Sequence, residues 1–255
     1  MRRLSIVVPF YNEQQNLEQI VLRSVNASLP EGWDREIILV NDGSTDASGQ
    51  IAEELAERFP GLIRVLHLEE NQGKGGAVRA GYRVATGEVV LVQDADLEYD
   101  PADYASILRE LDRTGAEAVY GSRVRGRQGT RYRSYWYGGR LVTTLNNLLY
   151  AATLTDQPTC YKCVRKVVLD RLQLSSRGFE FCTELTCELL AHRCRIAEVP
   201  IRYYPRSIEE GKKIRPWDGL KAVWWMIRVR WRHWWGLCGG RDRTVSTGGT
   251  AVRKC

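Results

Sequence analysis

Five short apolar runs, most of them followed by a polar turn and a helical pattern, constrain this chain more than anything else in it. They cover residues 4–9, 36–40, 63–68, 89–92 and 118–121. Runs this short and this apolar are strands covered on both faces. Between them, residues 14–26, 73–85 and a segment opening at Pro101 carry apolar positions at helical spacing. A further helix runs to about residue 58, with Ser44 or Thr45 as its cap and Asp46 in its first turn. Strand and helix in alternation predict an α/β fold: a mostly parallel sheet with helices on both faces. At 255 residues the chain is long enough for one full core with a tail.

After Ser122 the pattern changes. Arg123, Arg125, Arg127, Arg131, Arg133 and Arg140, interleaved with Gly, Tyr and Trp, read as a mobile basic loop. A short amphipathic helix is expected over 141–154, another helix over 179–191, and a late strand over 196–204. Residues 206–215 form a second basic loop, and 217–235 a last helix. The Gly/Ser/Thr-rich stretch 236–255 reads as a disordered tail. The expected organisation is one α/β domain over 1–216, an amphipathic helix over 217–235, and that tail.

The chemistry concentrates at Asp94-Ala95-Asp96-Leu97-Glu98, which ends the fourth strand. Open α/β sheets bind their ligands at the carboxyl ends of their strands. Two carboxylates one residue apart repel unless they share a cation. Hard oxygen donors suit Mg²⁺ or Mn²⁺, whose shells are completed by water and substrate phosphates. The competing reading is a turn that caps the helix opening at Pro101.

A net charge of +6 favours an anionic partner: nucleic acid, an anionic membrane or phosphorylated substrates. No stretch reaches the roughly 18 apolar residues that span a bilayer, so a soluble or peripheral protein is expected. The short apolar run after Met1-Arg2-Arg3 suits a strand better than a signal peptide. Seven cysteines, an odd number, suit reduced thiols in a cytosol. Cys160 and Cys163 have zinc-knuckle spacing, but no second C-x-x-C completes a tetrahedral site, and small buried hydrophobes are the better reading.

Further motifs lie at the same sheet edge: Pro9-Phe10-Tyr11-Asn12-Glu13 after the first strand and Asn41-Asp42-Gly43-Ser44 after the second. With Asn71-Gln72-Gly73-Lys74-Gly75-Gly76-Ala77 and the acidic turn, they resemble the family 2 inverting glycosyltransferases of the GT-A fold. Thr155-Asp156, Gly178-Phe179-Glu180-Phe181 and Tyr203-Tyr204-Pro205-Arg206, followed by Glu210-Gly211-Lys212-Lys213, look like the polyprenol-phosphate branch, which includes the dolichol-phosphate-mannose synthases. The resemblance covers about residues 4–235.

It implies roles for particular residues. Asp42 would accept a ring N–H of uracil or guanine, with Pro9, Tyr11 and Glu13 shaping the base and ribose pocket. Asp94 and Ala95 would face the nucleotide and Asp96 would hold the metal, with Glu98 a further ligand. Arg123, Arg206 and Lys212 would bind the diphosphate, since arginine's planar fork matches phosphate. Lys74 and Arg79 either approach the nucleotide or are solvated. Asp156 would lie near the acceptor, unless it is only a turn former before Pro158, and Glu184 is a weaker candidate better read as a helix-surface acid. Glu180 stands where the mannose synthases have a lysine, which leaves the sugar open. The implied partners are a nucleotide-diphosphate sugar and a polyprenyl or dolichyl phosphate. The rival readings are a family 2 enzyme acting on a saccharide hydroxyl and a non-catalytic sugar-nucleotide or membrane-binding module. A nucleic-acid partner is not expected, because it leaves the acidic crevice unexplained.

Six of the eight tryptophans lie within 217–235. At helical pitch Leu220, Val223, Trp224, Ile227, Trp231, Trp234 and Trp235 share one broad face, with Lys221, Arg228 and Arg232 beside it. Such a helix suits an anionic membrane surface, and the alternative is packing onto its own domain. Leu141, Leu145, Leu148 and Leu149 read either as a second apolar ridge near the acceptor site or as core packing. The reading is a cytoplasmic protein, peripheral on the cytosolic face of a membrane.

Overall fold

The structure is a computed structural model that describes residues 1–126, 133–205 and 216–239. Seven strands form one sheet in the order β3-β2-β1-β4-β6-β5-β7. They are β1 (Arg2–Phe10), β2 (Trp33–Asn41), β3 (Ile63–His67), β4 (Val89–Val92), β5 (Ala118–Ser122), β6 (Lys162–Arg165) and β7 (Ile196–Pro200). The pairs β1–β2, β2–β3, β1–β4 and β5–β7 are parallel. Strand β6 runs antiparallel to both β4 and β5. The carboxyl ends of β1, β2, β4, β5 and β7 therefore share one edge, and the residues leading into β6 arrive at that same edge.

The apolar runs are buried as their composition requires. Leu4, Ile6, Val7 and Val8 of β1, Ile37 to Val40 of β2 and Val89 to Val92 of β4 sit in a single core. The helices α1 (Leu17–Asn26), α2 (Ser48–Arg58), α3 (Lys74–Val84) and α4 (Tyr104–Thr114) fill the positions expected between strands. Gly81 of α3 lies so close to β1 that a Cβ there would stand 2.4 Å from a Val7 methyl, so the helix backbone seats directly on the sheet.

Several boundaries differ from expectation for local reasons. Neither Ser44 nor Thr45 caps α2: Ser44 Oγ accepts the Asn12 N–H at 3.1 Å, and Thr45 N–H donates to Asn12 Oδ1 at 2.9 Å. The helix starts at Ser48, whose N–H donates to Asp46 Oδ1 at 3.0 Å. Pro101 opens a 3₁₀ turn, Pro101–Asp103, before α4, and Asp100 accepts the Ala102 N–H. Helix α5 (Arg133–Tyr150) begins inside the expected basic loop and ends four residues short of the expected 154. Strand β6 and the short α6 (Lys166–Leu169) have no counterpart in the expectation; a four-residue strand after Cys160-Tyr161 leaves little periodicity to read.

Helices α7 (Phe181–Ala191) and α8 (Pro216–Gly239) complete the described chain, and α8 runs four residues past 235. Residues 240–255 lie outside the described residues. Trp225, Met226 and Val229 of α8 pack with Cys187 of α7 and with Val142, Leu145 and Leu149 of α5 in a second core cluster. No helix among the described residues is long and apolar enough to cross a membrane. Cys160, Cys163 and Cys187 are free and buried, as small hydrophobes are.

Candidate active site

The first two strand-ending loops are stapled together. Besides the Asn12–Ser44–Thr45 bonds, Glu13 N–H donates to Ser48 Oγ at 2.9 Å. Asn12 adopts φ 52° to make the turn, a conformation asparagine tolerates better than most. Asp42 is buried, and its Oδ1 accepts the Gln72 N–H at 2.7 Å. Burial pushes its carboxyl above the usual range, although the Gln72 and Gly73 N–H groups pull the other way. Gly43, with φ 71°, lets the Asn71 backbone approach to 3.0 Å of where a Cβ would stand. Pro9 lies in β1 opposite Val40, and Tyr11 is exposed beside the loop. These residues lie together at the carboxyl edge of the sheet.

The acidic turn follows β4 at the same edge. Gln93 is fully buried, accepts hydrogen bonds from Tyr104 at 2.6 Å and Tyr161 at 2.5 Å, and donates to the Asp94 carbonyl at 3.0 Å. Leu97 takes φ 62°, which bends the chain sharply after Asp96. Asp94 is paired with Lys74, whose Nζ lies 2.6 Å from Oδ1 and 2.8 Å from Oδ2. Lys74 is thus not solvated. Burial lowers its affinity for a proton, but the adjacent Asp94 overrides this and holds the ammonium well above the ordinary lysine value. Asp96 Oδ1 accepts the Glu98 N–H at 3.1 Å, closing an Asx turn. Glu98 Oε2 accepts the Tyr203 hydroxyl at 2.8 Å. Ala95 is buried between the two acids.

Arg123 and Asp156, assigned separate tasks by the resemblance, meet as a pair. Arg123 Nε donates to Asp156 Oδ2 at 2.8 Å, Nη2 to Oδ1 at 2.7 Å, and the Arg123 backbone N–H to Oδ2 at 2.9 Å. The guanidinium also lies over the Tyr203 ring, 5.1 Å from its centroid. Burial pushes the Asp156 carboxyl up, Arg123 more than offsets it, and the net shift is downward. The Thr155–Asp156 turn is held from below by Glu198, which accepts both backbone N–H groups within 3.1 Å. Lys162, 1% exposed, donates to the Gln157 carbonyl at 2.6 Å and to Thr186 Oγ1 at 2.9 Å. Burial brings its pKa down to about 8.

One expectation fails here. Glu184 is not a surface acid: it is fully buried, and it accepts hydrogen bonds from the backbone and hydroxyl groups of both Ser175 and Ser176. Arg79 is half-buried and donates to the Gly75 and Leu174 carbonyls. The Ser176-Arg177 segment so anchored seats on the glycine turn, where the Arg177 carbonyl accepts the Gly75 N–H at 2.7 Å. A Cβ on Gly75 would stand 2.6 Å from the Ser176 oxygen, so these glycines admit a backbone. Glu180 folds back on its own turn, with Oε1 accepting the Gly178 N–H at 3.0 Å. Arg206 and Lys212 lie outside the described residues. Gln93, Glu198, Lys162 and Tyr203 were not singled out as supports; only the Tyr203-Tyr204 motif hinted at one of them.

A mostly parallel sheet with a paired acidic turn at its carboxyl edge defines an α/β transferase of the GT-A fold class. The family model for "Glycosyl transferase family 2" matches residues 5–173. The chain is 32% identical to a polyprenol monophosphomannose synthase of Mycolicibacterium smegmatis, over 90% of this chain and 89% of that one. It is 30% identical to a dodecaprenyl-phosphate galacturonate synthase of Rhizobium johnstonii, covering 92% and 71%. A dolichol-phosphate mannosyltransferase of Pyrococcus furiosus is 28% identical, and the match spans 82% of this chain but 59% of that enzyme. Among solved structures, a glucosyl-3-phosphoglycerate synthase of Mycobacterium tuberculosis has the same fold, with TM-score 0.66 and 21% identity, covering 94% of this chain and 81% of that one. The chain belongs to glycosyl transferase family 2.

Proposed function

We propose that this glycosyltransferase moves a hexose from a nucleotide-diphosphate sugar to a polyprenyl phosphate at a membrane surface, inverting the anomeric carbon in one displacement. One observation carries the reading: antiparallel β6 brings the Thr155–Asp156 turn to the edge that also holds the Asp94–Asp96 turn. A donor wall and an acceptor wall thereby face one crevice. The chain's likeness to a polyprenol monophosphomannose synthase, a dolichol-phosphate mannosyltransferase and a dodecaprenyl-phosphate galacturonate synthase supports a polyprenyl phosphate as acceptor.

On this reading Asp42 accepts a base N–H, and Pro9, Tyr11 and Glu13 shape the base and ribose pocket. Asp94 and Ala95 lie beside the diphosphate, and Lys74, locked to Asp94, adds a fixed positive charge. The hard carboxylate oxygens of the acidic turn fit a divalent ion that takes few protein ligands, with Asp94 already paired to Lys74. Asp96 would hold that ion, Mg²⁺ or Mn²⁺, with Glu98 its further candidate ligand. When bound, the ion neutralises charge on the departing diphosphate. Arg123, Arg206 and Lys212 supply the remaining positive charge.

The committed acids favour a phosphate acceptor over a saccharide hydroxyl. A hydroxyl needs a general base, whereas a phosphate is already an anion near pH 7. Asp156 is tied to Arg123 by three hydrogen bonds and Glu184 is buried under two serines, so neither is placed to take a proton. Asp156 orients Arg123 instead.

Peripheral binding at the cytosolic face rests on α8. Trp217, Leu220, Trp224, Ile227, Trp231, Trp234 and Trp235 are exposed, while Trp225, Met226 and Val229 on the opposite side are buried. The helix is apolar on both faces, with the outer one rimmed by Lys221 and Arg228, as suits an interface of anionic lipid.

The test is a panel of UDP- and GDP-linked sugars with short polyprenyl phosphates and Mg²⁺ or Mn²⁺, scored for lipid-linked product. Turnover by the wild type that is lost in Asp96→Ala is expected. Metal-dependent turnover surviving Asp96→Ala, or transfer to saccharide hydroxyls in preference to the lipid phosphate, would overturn the reading.

A further inference from the structure

Helix α8 is fastened to the domain through one buried acid. Glu188 of α7 has a side chain only 1% exposed, and Arg232 of α8 pairs with its Oε1. His233 of α8 brings Nε2 to 3.2 Å from Oε2. His192, one helical turn beyond Glu188, has Nδ1 3.9 Å from the same oxygen. The two imidazoles meet edge to face with centroids 4.8 Å apart. The chain has three histidines, and two of them are here.

We propose that Glu188, His192 and His233 form a binding site for a borderline divalent cation of the Zn²⁺ class, separate from the crevice. Two imidazoles and a carboxylate are a zinc-type donor set. A Glu and a His four residues apart share one helix face, and α8 supplies the third ligand across the helix junction. Among the described residues this is the one group of three such ligand atoms lying within 4.8 Å of one another. Tetrahedral bonds of about 2.1 Å would set neighbouring ligand atoms about 3.4 Å apart. The observed 3.2 and 3.9 Å bracket that spacing.

The carboxylate is already divided in a suitable way. Oε2 faces the imidazoles and Oε1 faces Arg232, so the guanidinium takes the place of the hydrogen-bonding partner that orients a ligating carboxylate. Its fixed charge also repels the cation and holds the affinity down. His192 Nδ1 lies 2.9 Å from the Glu188 carbonyl, so binding through Nδ1 requires the ring to give up that contact. The side chains of His192 and His233 are 37% and 28% exposed, which leaves a route from solvent. Mg²⁺ and Mn²⁺ prefer all-oxygen shells and would stay with the acidic turn. A bound cation would cross-link α7 to α8 and oppose detachment of the tryptophan-bearing helix.

The experiment titrates the full-length, metal-stripped protein with Co²⁺, read by visible absorption, and with Zn²⁺, read by calorimetry and thermal midpoint. One tetrahedral Co²⁺ per chain is expected, with intense visible bands and no thiolate charge transfer, any Co²⁺ in the all-oxygen acidic turn giving only weak octahedral absorption, and Zn²⁺ should raise the midpoint by a few degrees. His192→Asn and His233→Asn should each weaken binding by about tenfold or more. Midpoints measured without metal separate loss of a ligand from loss of fold. The proposal is overturned if the folded double variant His192→Asn/His233→Asn binds like the wild type. It is equally overturned by a thiolate band in place of the expected spectrum, or by no binding of either ion at submillimolar concentration.

Discussion

Replacing Asp156 by Asn tests whether the acid works through Arg123 or as a base. The side chain keeps its shape but loses its charge, and an amide N–H₂ now faces one donor of the guanidinium. Arg123 is mostly covered and rests on Tyr203, so it has little water to turn to. Breaking one partner of a buried pair costs about 3–5 kcal/mol, and the partial exposure of Arg123 argues for the lower end. For a chain of this size that is a fall in thermal midpoint of roughly 6–12 °C. Arg123→Met should cost a similar amount, since it leaves Asp156 as an uncompensated buried anion. The double variant should recover about 2 kcal/mol relative to additivity. Urea unfolding of the four proteins measures the cycle. Additive effects, within about 0.5 kcal/mol, would refute the pairing. The same variants carry a kinetic test. Because the folded Asp156 pKa lies below the ordinary carboxylate value, its stabilising contribution is present above about pH 4 and is lost as pH falls through the folded value. Asp156 therefore has no titration to add to a pH–rate profile between pH 5 and 8. An acidic limb in that range that vanishes in Asp156→Asn would mean that the residue acts as a base.

Lys162 gives the opposite pH sign. Its folded value near 8 is below that of a free lysine, so the unfolded chain binds more protons above pH 8 and stability at this site rises with pH. The stability difference between wild type and Lys162→Met should move in favour of the wild type by about 2 kcal/mol between pH 7.5 and 9.5, measured in urea; a constant difference would refute the shift. Gly75→Ala should cost about 1–3 kcal/mol, because its methyl would strike the Ser176 carbonyl. Gly219→Ala in α8, where a Cβ meets nothing, should stabilise by up to about 1 kcal/mol. Thermal melts distinguish these two, and equal effects would contradict the packing. On α8, Trp224→Ser with Trp231→Ser should abolish flotation with anionic vesicles while leaving the midpoint nearly unchanged. Met226→Ala on the inner face should instead destabilise by about 2–5 kcal/mol. Unchanged flotation of the folded tryptophan variant would remove α8 as the membrane contact.

The first half of the fold was legible because its signals are local. Parallel strands buried on both faces leave uninterrupted apolar runs, and the sheet edge follows from the alternation. The acidic turn and Asp42 could be placed at that edge from chain order alone. Residues that act through long-range pairing were harder to read. Lys74 stands next to three glycines and could have been solvated; only the fold brings it to Asp94, twenty residues away. Glu184 looked like a surface acid because a carboxylate in a helix usually is one, and the serines that bury it lie in an irregular loop. Asp156 and Arg123 each carried a motif, but their partnership depends on the direction of β6, which is too short to announce itself.

That reversed strand also separates what can vary from what cannot. In the parallel part of the sheet each edge loop continues into a helix that must pack back onto the core, so its length is constrained at both ends. The turn before β6 descends from α5, outside that rhythm, and is held by Glu198 of β7. Under the proposed assignment, lineages could lengthen or rewrite the acceptor wall while the donor wall stayed fixed. One sheet could then serve many acceptors without redesign of its nucleotide half.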